Sequence, residues 1–124
     1  MKPIYLGVFL DTESQKKFKT HFNKLPKWKW FSHHMTIKFG VNRHDLTTAS
    51  IGKDVALQVK GPVLKDSYGM TVYVSGYPSE NKYPHITVQT SPEQSPKYSN
   101  YLWDNWKGDV SSLHDLFSVK GKVG

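Results

Sequence analysis

The 124-residue sequence contains no cysteine. This absence excludes disulfides, thiolate nucleophiles and zinc sites built on cysteine. The sequence also lacks a long apolar run, whereas a membrane-spanning helix needs about 20 apolar residues. The apolar stretch at 4–10 ends at Asp11, so it predicts a strand and not a signal peptide. We therefore expect a cytoplasmic protein that does not associate with membranes.

Acidic residues are scarce: 10 Asp and Glu stand against 17 Lys and Arg, for a net charge of +7. A positive field concentrates anionic ligands such as phosphate compounds, although scattered surface lysines that aid solubility give the same count. Hydrophobic residues make up 37% of the chain and aromatic residues 14%. This composition predicts one folded domain over residues 1–124.

The spacing of apolar residues predicts an α+β fold with mostly antiparallel strands. A strand at 4–10 is followed by a helix that Asp11 or Thr12 caps and Pro26 ends. Gly61-Pro62 interrupts a later strand, and residues 42–50 resemble a loop that can include one helical turn. The further predicted strands are 55–60, 70–74 and 116–123, in addition to the two described next.

Two strand-like segments contain a His-x-Thr motif, His34-Met35-Thr36 and His85-Ile86-Thr87. Because side chains alternate along a strand, each segment should have an apolar face on the core and a polar face on a cleft. The predicted polar faces are His34, Thr36 and Lys38 on the first strand, and His85, Thr87 and Gln89 on the second. The alternative is that both are ordinary surface histidines on amphipathic strands.

Two imidazoles that face one cleft suit phosphodiester transfer. One histidine takes a proton from a ribose 2′-hydroxyl or a water, and the other protonates the departing oxygen. The threonine two residues further on lies about 6.6 Å along the same face, where its hydroxyl can bind a phosphate oxygen. The sequence leaves open which histidine is the base.

A metal site is the main competing chemistry. The motif strands contain Thr, Lys and Gln where carboxylate ligands would be expected, and Lys38 is unfavourable beside a cation. In a regular strand His33 points away from His34. A serine nucleophile is disfavoured because no Gly-x-Ser-x-Gly turn is present. We expect no metal and no other cofactor, and the sequence leaves the roles of His33 and His44 open.

With these motifs, most of the chain resembles the 2H phosphoesterase superfamily. The segment 97–100 is also similar to the proline-Ser-Asn segment that follows the second motif in repair-type relatives. The resemblance implies a bilobal fold of two pseudo-symmetric antiparallel sheets flanked by helices, with the motifs in the groove between them. It implies that His34 and His85 form a metal-independent acid-base pair, and that Thr36 and Thr87 anchor the phosphate.

The expected partner is a nucleotide or oligonucleotide, with no obligate protein partner. Cyclic di- or oligonucleotide signals, 2′,5′-linked oligonucleotides and RNA ends with a 2′,3′-cyclic phosphate are the candidate substrates. The small stand-alone domain favours signal degradation, as in viral relatives; a non-catalytic RNA- or nucleotide-binding module and a structural protein without a site are the alternatives. The predicted substrate contacts are the aromatic rings of Tyr5, Tyr83 and Tyr98, the charge of Lys38, and Ser99.

Overall fold

The computed structural model describes residues 5–124, apart from the side chain of Leu46. Residue 4 of the predicted first strand lies outside the described residues. The strands are β1 (Tyr5–Leu10), β2 (Lys29–Trp30), β3 (His34–Phe39), β4 (Asp54–Lys65), β5 (Gly69–Ser75), β6 (His85–Thr90) and β7 (His114–Val123). The helices are α1 (Thr12–His21), α2 (Arg43–Thr48), α3 (Tyr98–Asp104) and a short 3-10 helix at Val110–Ser112.

All of the paired strands are antiparallel, in the order β2-β6-β3-β1-β7-β4-β5. A further pairing between β5 and β6 closes six of these strands into a barrel-like sheet, with β2 added beside β6. The predicted α+β fold with antiparallel pairing is confirmed. The described part of the chain forms one continuous hydrogen-bonded sheet, and β3 and β6 are direct neighbours within it.

Within residues 5–124, the strands and helix α1 contribute side chains to a shared hydrophobic core cluster. Along β4 the buried positions alternate, so that Val55, Leu57 and Val59 point inward while their neighbours are more exposed. Met35 of β3 and Ile86 of β6 are fully buried in the same cluster. The apolar residue of each His-x-Thr motif therefore anchors its strand to the core, as predicted.

Helix α1 begins where the sequence predicts and ends earlier. The Asp11 carboxylate caps it by accepting a hydrogen bond from the Ser14 amide at 2.7 Å. The helix ends at His21, and the chain is already extended at Phe22, so the predicted end at Pro26 is wrong. The reason is a long-range one: the Gln89 side chain accepts from the Leu25 amide and donates to the Asn23 carbonyl, which satisfies backbone groups of this non-helical segment.

Two other boundaries differ from the predictions. The predicted loop at 42–50 contains helix α2, which has a reciprocal capping box between Asn42 and Asp45. Strand β4 continues through Gly61-Pro62, with Gly61 opposite His114 of β7 and Leu64 opposite Thr71 of β5, and the predicted interruption is limited to an irregularity in the β4–β5 pairing between Lys60 and Leu64. Partners on both sides of β4 thus override the local turn signal.

The longest helix in residues 5–124 has ten residues, and none there is long and apolar enough to cross a membrane.

Candidate active site

The two His-x-Thr motifs lie on neighbouring antiparallel strands. Met35 of β3 is directly opposite Ile86 of β6. In this antiparallel register, the position of His34 is next to that of Thr87 on one side of the pair. The position of Thr36 is next to that of His85 on the other side. The two motifs are therefore related by a local pseudo-twofold axis through the Met35–Ile86 pair.

The four motif residues line one open cavity of about 630 Å³. His34 and Thr36 reach it from β3, and His85 and Thr87 reach it from β6. The prediction that these side chains face a common cleft is confirmed. Tyr5 lines the same cavity, as predicted, with its ring centroid 5.1 Å from that of His34.

Lys38 does not share the face of His34 and Thr36, so this prediction is wrong. Leu6 of β1 pairs with Lys38 and Gly7 pairs with Thr36, which leaves Ile37 as an extra residue on β3. Such a β-bulge reverses the alternation of side chains beyond it. The Lys38 ammonium instead binds Asp45 of α2 at 2.8 Å, and Phe39 takes its place beside the cavity.

Glu80 holds this bulge in place. Its backbone amide donates to the Ile37 carbonyl at 2.8 Å, and its carboxylate accepts from the Phe39 amide at 2.6 Å. The Ser79 hydroxyl also donates to the Thr36 carbonyl. The loop that precedes β6 therefore determines which β3 side chains reach the cavity.

His33 lines the cavity together with His34, contrary to the expectation for a regular strand. The backbone of Ser32 is left-handed, with φ of 51°, and β3 begins only at His34. Alternation therefore does not extend back to His33. The two imidazoles share a hydrogen bond between their Nδ1 atoms at 2.7 Å, with ring centroids 4.7 Å apart.

His34 favours its neutral form strongly. Burial is the main cause, and the charges of His33 and His85 add to it, so that the pKa of His34 falls from 6.5 to about 4. Burial also lowers the pKa of His33. The rings of Tyr5 and Phe9 lie against His34 and provide much of its apolar surroundings.

His85 has a different environment. Its Nδ1 lies 2.8 Å from the Tyr83 carbonyl, which can only accept, so Nδ1 carries a proton and Nε2 holds the lone pair of the neutral ring. Burial lowers the pKa of His85, while the Tyr83 carbonyl and the Asp104 carboxylate act in the opposite direction. Two neighbours of His85 thus favour its protonated form. All of the causes that shift the pKa of His34 favour its neutral form.

Thr87 is tied to the segment that precedes and begins α3. Its hydroxyl lies 2.6 Å from the Ser99 hydroxyl and donates to the Pro96 carbonyl at 3.2 Å. Ser99 is only 2% exposed and is not part of the cavity lining. The structure thus places Ser99 behind Thr87, where it orients the threonine, and not at the predicted position for substrate contact.

The other two predicted tyrosines are not in the main cavity. Tyr98 donates its hydroxyl to Asp66 and packs against Tyr68, and this hydrogen bond raises the pKa of Tyr98 to about 12. Tyr83 lines a smaller polar pocket of about 240 Å³ beside His85, and packs against Trp103. Tyr98 therefore supports the packing of α3, whereas Tyr83 acts on the site through its carbonyl.

Gln89 is also absent from the cavity. It is fully buried and hydrogen-bonded to the chain after α1, as described above. Strand β6 has partners on both sides, and its residues after His85 are buried on both faces. The face that carries His85 and Thr87 is therefore no longer open to the cavity at Gln89. The prediction that Gln89 faces the cleft with His85 and Thr87 is wrong.

Several residues that line the cavity have no predicted role. Lys97 contributes a positive charge, and its ammonium lies 5.3 Å from the centre of the Phe39 ring. Asn81 and Asn100 line both the cavity and the smaller pocket, which also share His85. These residues belong to loops and a short helix that contain no periodic signal, and only the similarity of segment 97–100 pointed to this region.

In the described residues, no three His, Asp or Glu side chains come close enough to hold a metal ion. Comparisons with known protein families, curated proteins and solved structures gave no match for this chain.

Proposed function

We propose that the protein is a metal-independent phosphodiesterase of the 2H type that cleaves a nucleotide phosphodiester. The observation that carries this proposal is the convergence of His34, Thr36, His85 and Thr87 on one cavity. Two imidazoles can supply the two proton transfers of general acid-base cleavage at phosphorus, and two hydroxyls can donate to the phosphate oxygens. The local pseudo-twofold relation of β3 and β6 supports the symmetric placement of the two motifs that the resemblance implies, here within one continuous sheet.

The environments of the two histidines support different roles. His34 is the base, because burial and the charges of its neighbours keep its imidazole neutral. Burial lowers the pKa of both rings, but the Tyr83 carbonyl and Asp104 oppose this effect at His85 alone, so His85 is the more readily protonated of the two and acts as the acid. His34 takes the proton of the attacking hydroxyl or water, and His85 gives a proton to the leaving oxygen. Each histidine returns to its starting form when a proton is exchanged with solvent.

The threonines hold the phosphate between the histidines. The Thr87 hydroxyl accepts a hydrogen bond from Ser99 and donates its own hydrogen to the Pro96 carbonyl. When substrate binds, this hydrogen turns from the Pro96 carbonyl to a phosphate oxygen. Thr36 lines the same cavity from the other strand and binds a second non-bridging oxygen. Lys97 adds positive charge at the rim, which favours an anionic substrate.

The aromatic rings beside the histidines favour a substrate with nucleobases. Tyr5 and Phe39 are nearly parallel, with ring planes 8° apart, and both line the cavity. Such rings stack on bases without strong sequence preference. The cavity volume of about 630 Å³ suits a small ligand. The proposed substrate is therefore a cyclic di- or oligonucleotide signal or a 2′,5′-linked oligonucleotide in the cytoplasm. Its degradation would serve immune evasion, as in viral proteins of this kind. RNA ends with a 2′,3′-cyclic phosphate are the alternative substrate.

The test is a product assay. Purified protein is incubated with 2′,3′-cyclic mononucleotides, 2′,5′-oligoadenylate and cyclic dinucleotides in EDTA, and the products are separated by chromatography. Cleavage of at least one substrate by the wild type, and of none by a His34→Ala/His85→Ala double variant, is expected. Salt-dependent binding of an oligonucleotide without any product would instead favour the binding-module alternative.

A further inference from the structure

The imidazole of His33 is in direct contact with His34, and the acid-base pair proposed above does not use it. The two Nδ1 atoms are 2.7 Å apart, and the ring planes are inclined by only 19°. His33 lines the same cavity and is half-buried. A hydrogen bond between two ring nitrogens requires one proton between them, because two lone pairs or two protons at this distance repel each other.

The direction of this hydrogen bond determines what His34 can do. If His34 donates from Nδ1, its Nε2 has a lone pair and can act as a base. If His33 donates, the Nδ1 of neutral His34 is the acceptor and its Nε2 carries the proton, so His34 has no lone pair left for the substrate. His33 thus controls whether His34 is in its basic form.

We propose that His33 is a positioning residue that accepts the Nδ1–H of His34 and so keeps the Nε2 lone pair of His34 available for the reaction. This inference rests on the proposed function, because it concerns the same site. Across the pseudo-twofold axis, the Tyr83 carbonyl accepts the Nδ1–H of His85 and so leaves its Nε2 as the nitrogen that gives up the proton. When His34 takes a proton at Nε2, its Nδ1–H remains bound to neutral His33, which stabilises the imidazolium.

Protonation of His33 reverses this arrangement. A doubly protonated His33 can only donate from Nδ1, so that neutral His34 loses its basic form. The other titratable groups that line the cavity are Tyr5 from β1, His85 from β6, Glu80 from the loop before β6, and Lys97 before α3. Burial lowers the pKa of His33, which keeps it neutral at pH 7. Activity should therefore fall in acid as His33 gains its proton.

The first test measures tautomers without any substrate. Nitrogen NMR of ¹⁵N-histidine-labelled protein at pH 7.5 distinguishes protonated from unprotonated ring nitrogens. We expect His34 to be protonated at Nδ1 in the wild type and in His33→Asn, whose amide oxygen can accept the same bond. In His33→Ala, His34 should lose this preference. Protonation of His34 at Nε2 in the wild type would overturn the proposal.

The second test measures turnover over a range of pH. His33→Ala should lower kcat by about tenfold or more, since a hydrogen bond to a charged group is lost, while His33→Asn should stay within about threefold of the wild type. The His33→Asn profile should also lack the acid limb that His33 causes. His44→Asn, at an exposed position on α2, is the matched control.

Equal losses in His33→Asn and His33→Ala would overturn the acceptor role, and so would wild-type turnover in His33→Ala. If the wild type cleaves none of the phosphodiesters, the proposed function fails, whereas the NMR experiment still decides how His33 and His34 share their proton.

Discussion

Met35 of β3 lies directly opposite Ile86 of β6, and both side chains are fully buried in the core. Each of these residues is the middle member of a His-x-Thr motif. Their pairing therefore fixes the positions of two histidines and two threonines at once, on the opposite face of the same two strands. The core contact and the candidate active site are two sides of one structural element.

Lys97 should strengthen binding of an anionic substrate. Its ammonium lines the cavity and is not part of the proposed acid-base pair. Lys97→Gln is expected to raise KM several-fold with a smaller change in kcat, and to weaken the salt dependence of KM. Lys38→Gln is the comparison, because Lys38 binds Asp45 outside the cavity. Steady-state kinetics at two salt concentrations check both; a larger effect on KM in Lys38→Gln would contradict the placement of these charges.

Ser99 should act through Thr87. Thr87→Val removes the hydroxyl proposed to bind the phosphate, and we expect turnover to fall by about 10- to 100-fold, as for the loss of a hydrogen bond to a charged group. Ser99→Ala removes only the group that orients this hydroxyl and should cause a smaller loss. In Thr87→Val, the further change Ser99→Ala should have little additional effect on kcat. Independent, additive losses would show that Ser99 acts on the substrate by another route.

The sequence predicts the four central site residues because each motif combines a polar face with an apolar face. Met35 and Ile86 indicate the buried side, and the alternation of a strand places His34, Thr36, His85 and Thr87 on the other. These are local properties of two short segments. The antiparallel α+β fold is predicted for the same reason, since most of the strands have clear apolar positions.

The errors arise where distant contacts change the local backbone. The sequence around Ile37 alternates regularly, so nothing in it indicates the bulge that Glu80 holds and that turns Lys38 away. Likewise, the left-handed backbone of Ser32 is not apparent from the residue type, yet it brings His33 into the cavity. Both features depend on contacts between segments that are far apart in the sequence.

Protein stability should decrease as the pH falls below 6.5. The pKa of His34 is lowered from 6.5 to about 4, so the unfolded chain binds a proton in this range that the folded protein does not. Stability is then fully present above pH 6.5 and is lost progressively down to about pH 4. The loss is on the order of 2 kcal/mol for His34 after allowance for its partial exposure, and His33 and His85 add to it in the same direction.

Urea unfolding between pH 4 and pH 8 measures this dependence. His34→Gln, which removes the titrating group, should show a shallower dependence than the wild type. An identical pH dependence in His34→Gln would mean that His34 is not the group whose protonation opposes folding.

Gln89 should be important for stability and not for chemistry. Its buried amide binds the Leu25 amide and the Asn23 carbonyl, 64 and 66 residues earlier in the chain. Gln89→Leu leaves these backbone groups without a partner and is expected to cost about 2–4 kcal/mol. Urea unfolding measures the cost, and kcat of the folded fraction should change little. A stable variant with strongly reduced kcat would instead place Gln89 in the active site.

The most direct test of the central claim is turnover by His34→Ala, His85→Ala and the double variant, measured in EDTA on the substrate that the wild type cleaves. If the two histidines act as one acid-base unit, each single variant should keep its fold and lose about 100-fold or more in kcat, and the double variant should lose little beyond that. Near-normal turnover in either folded single variant, or loss of wild-type activity in EDTA, would contradict the two-histidine mechanism.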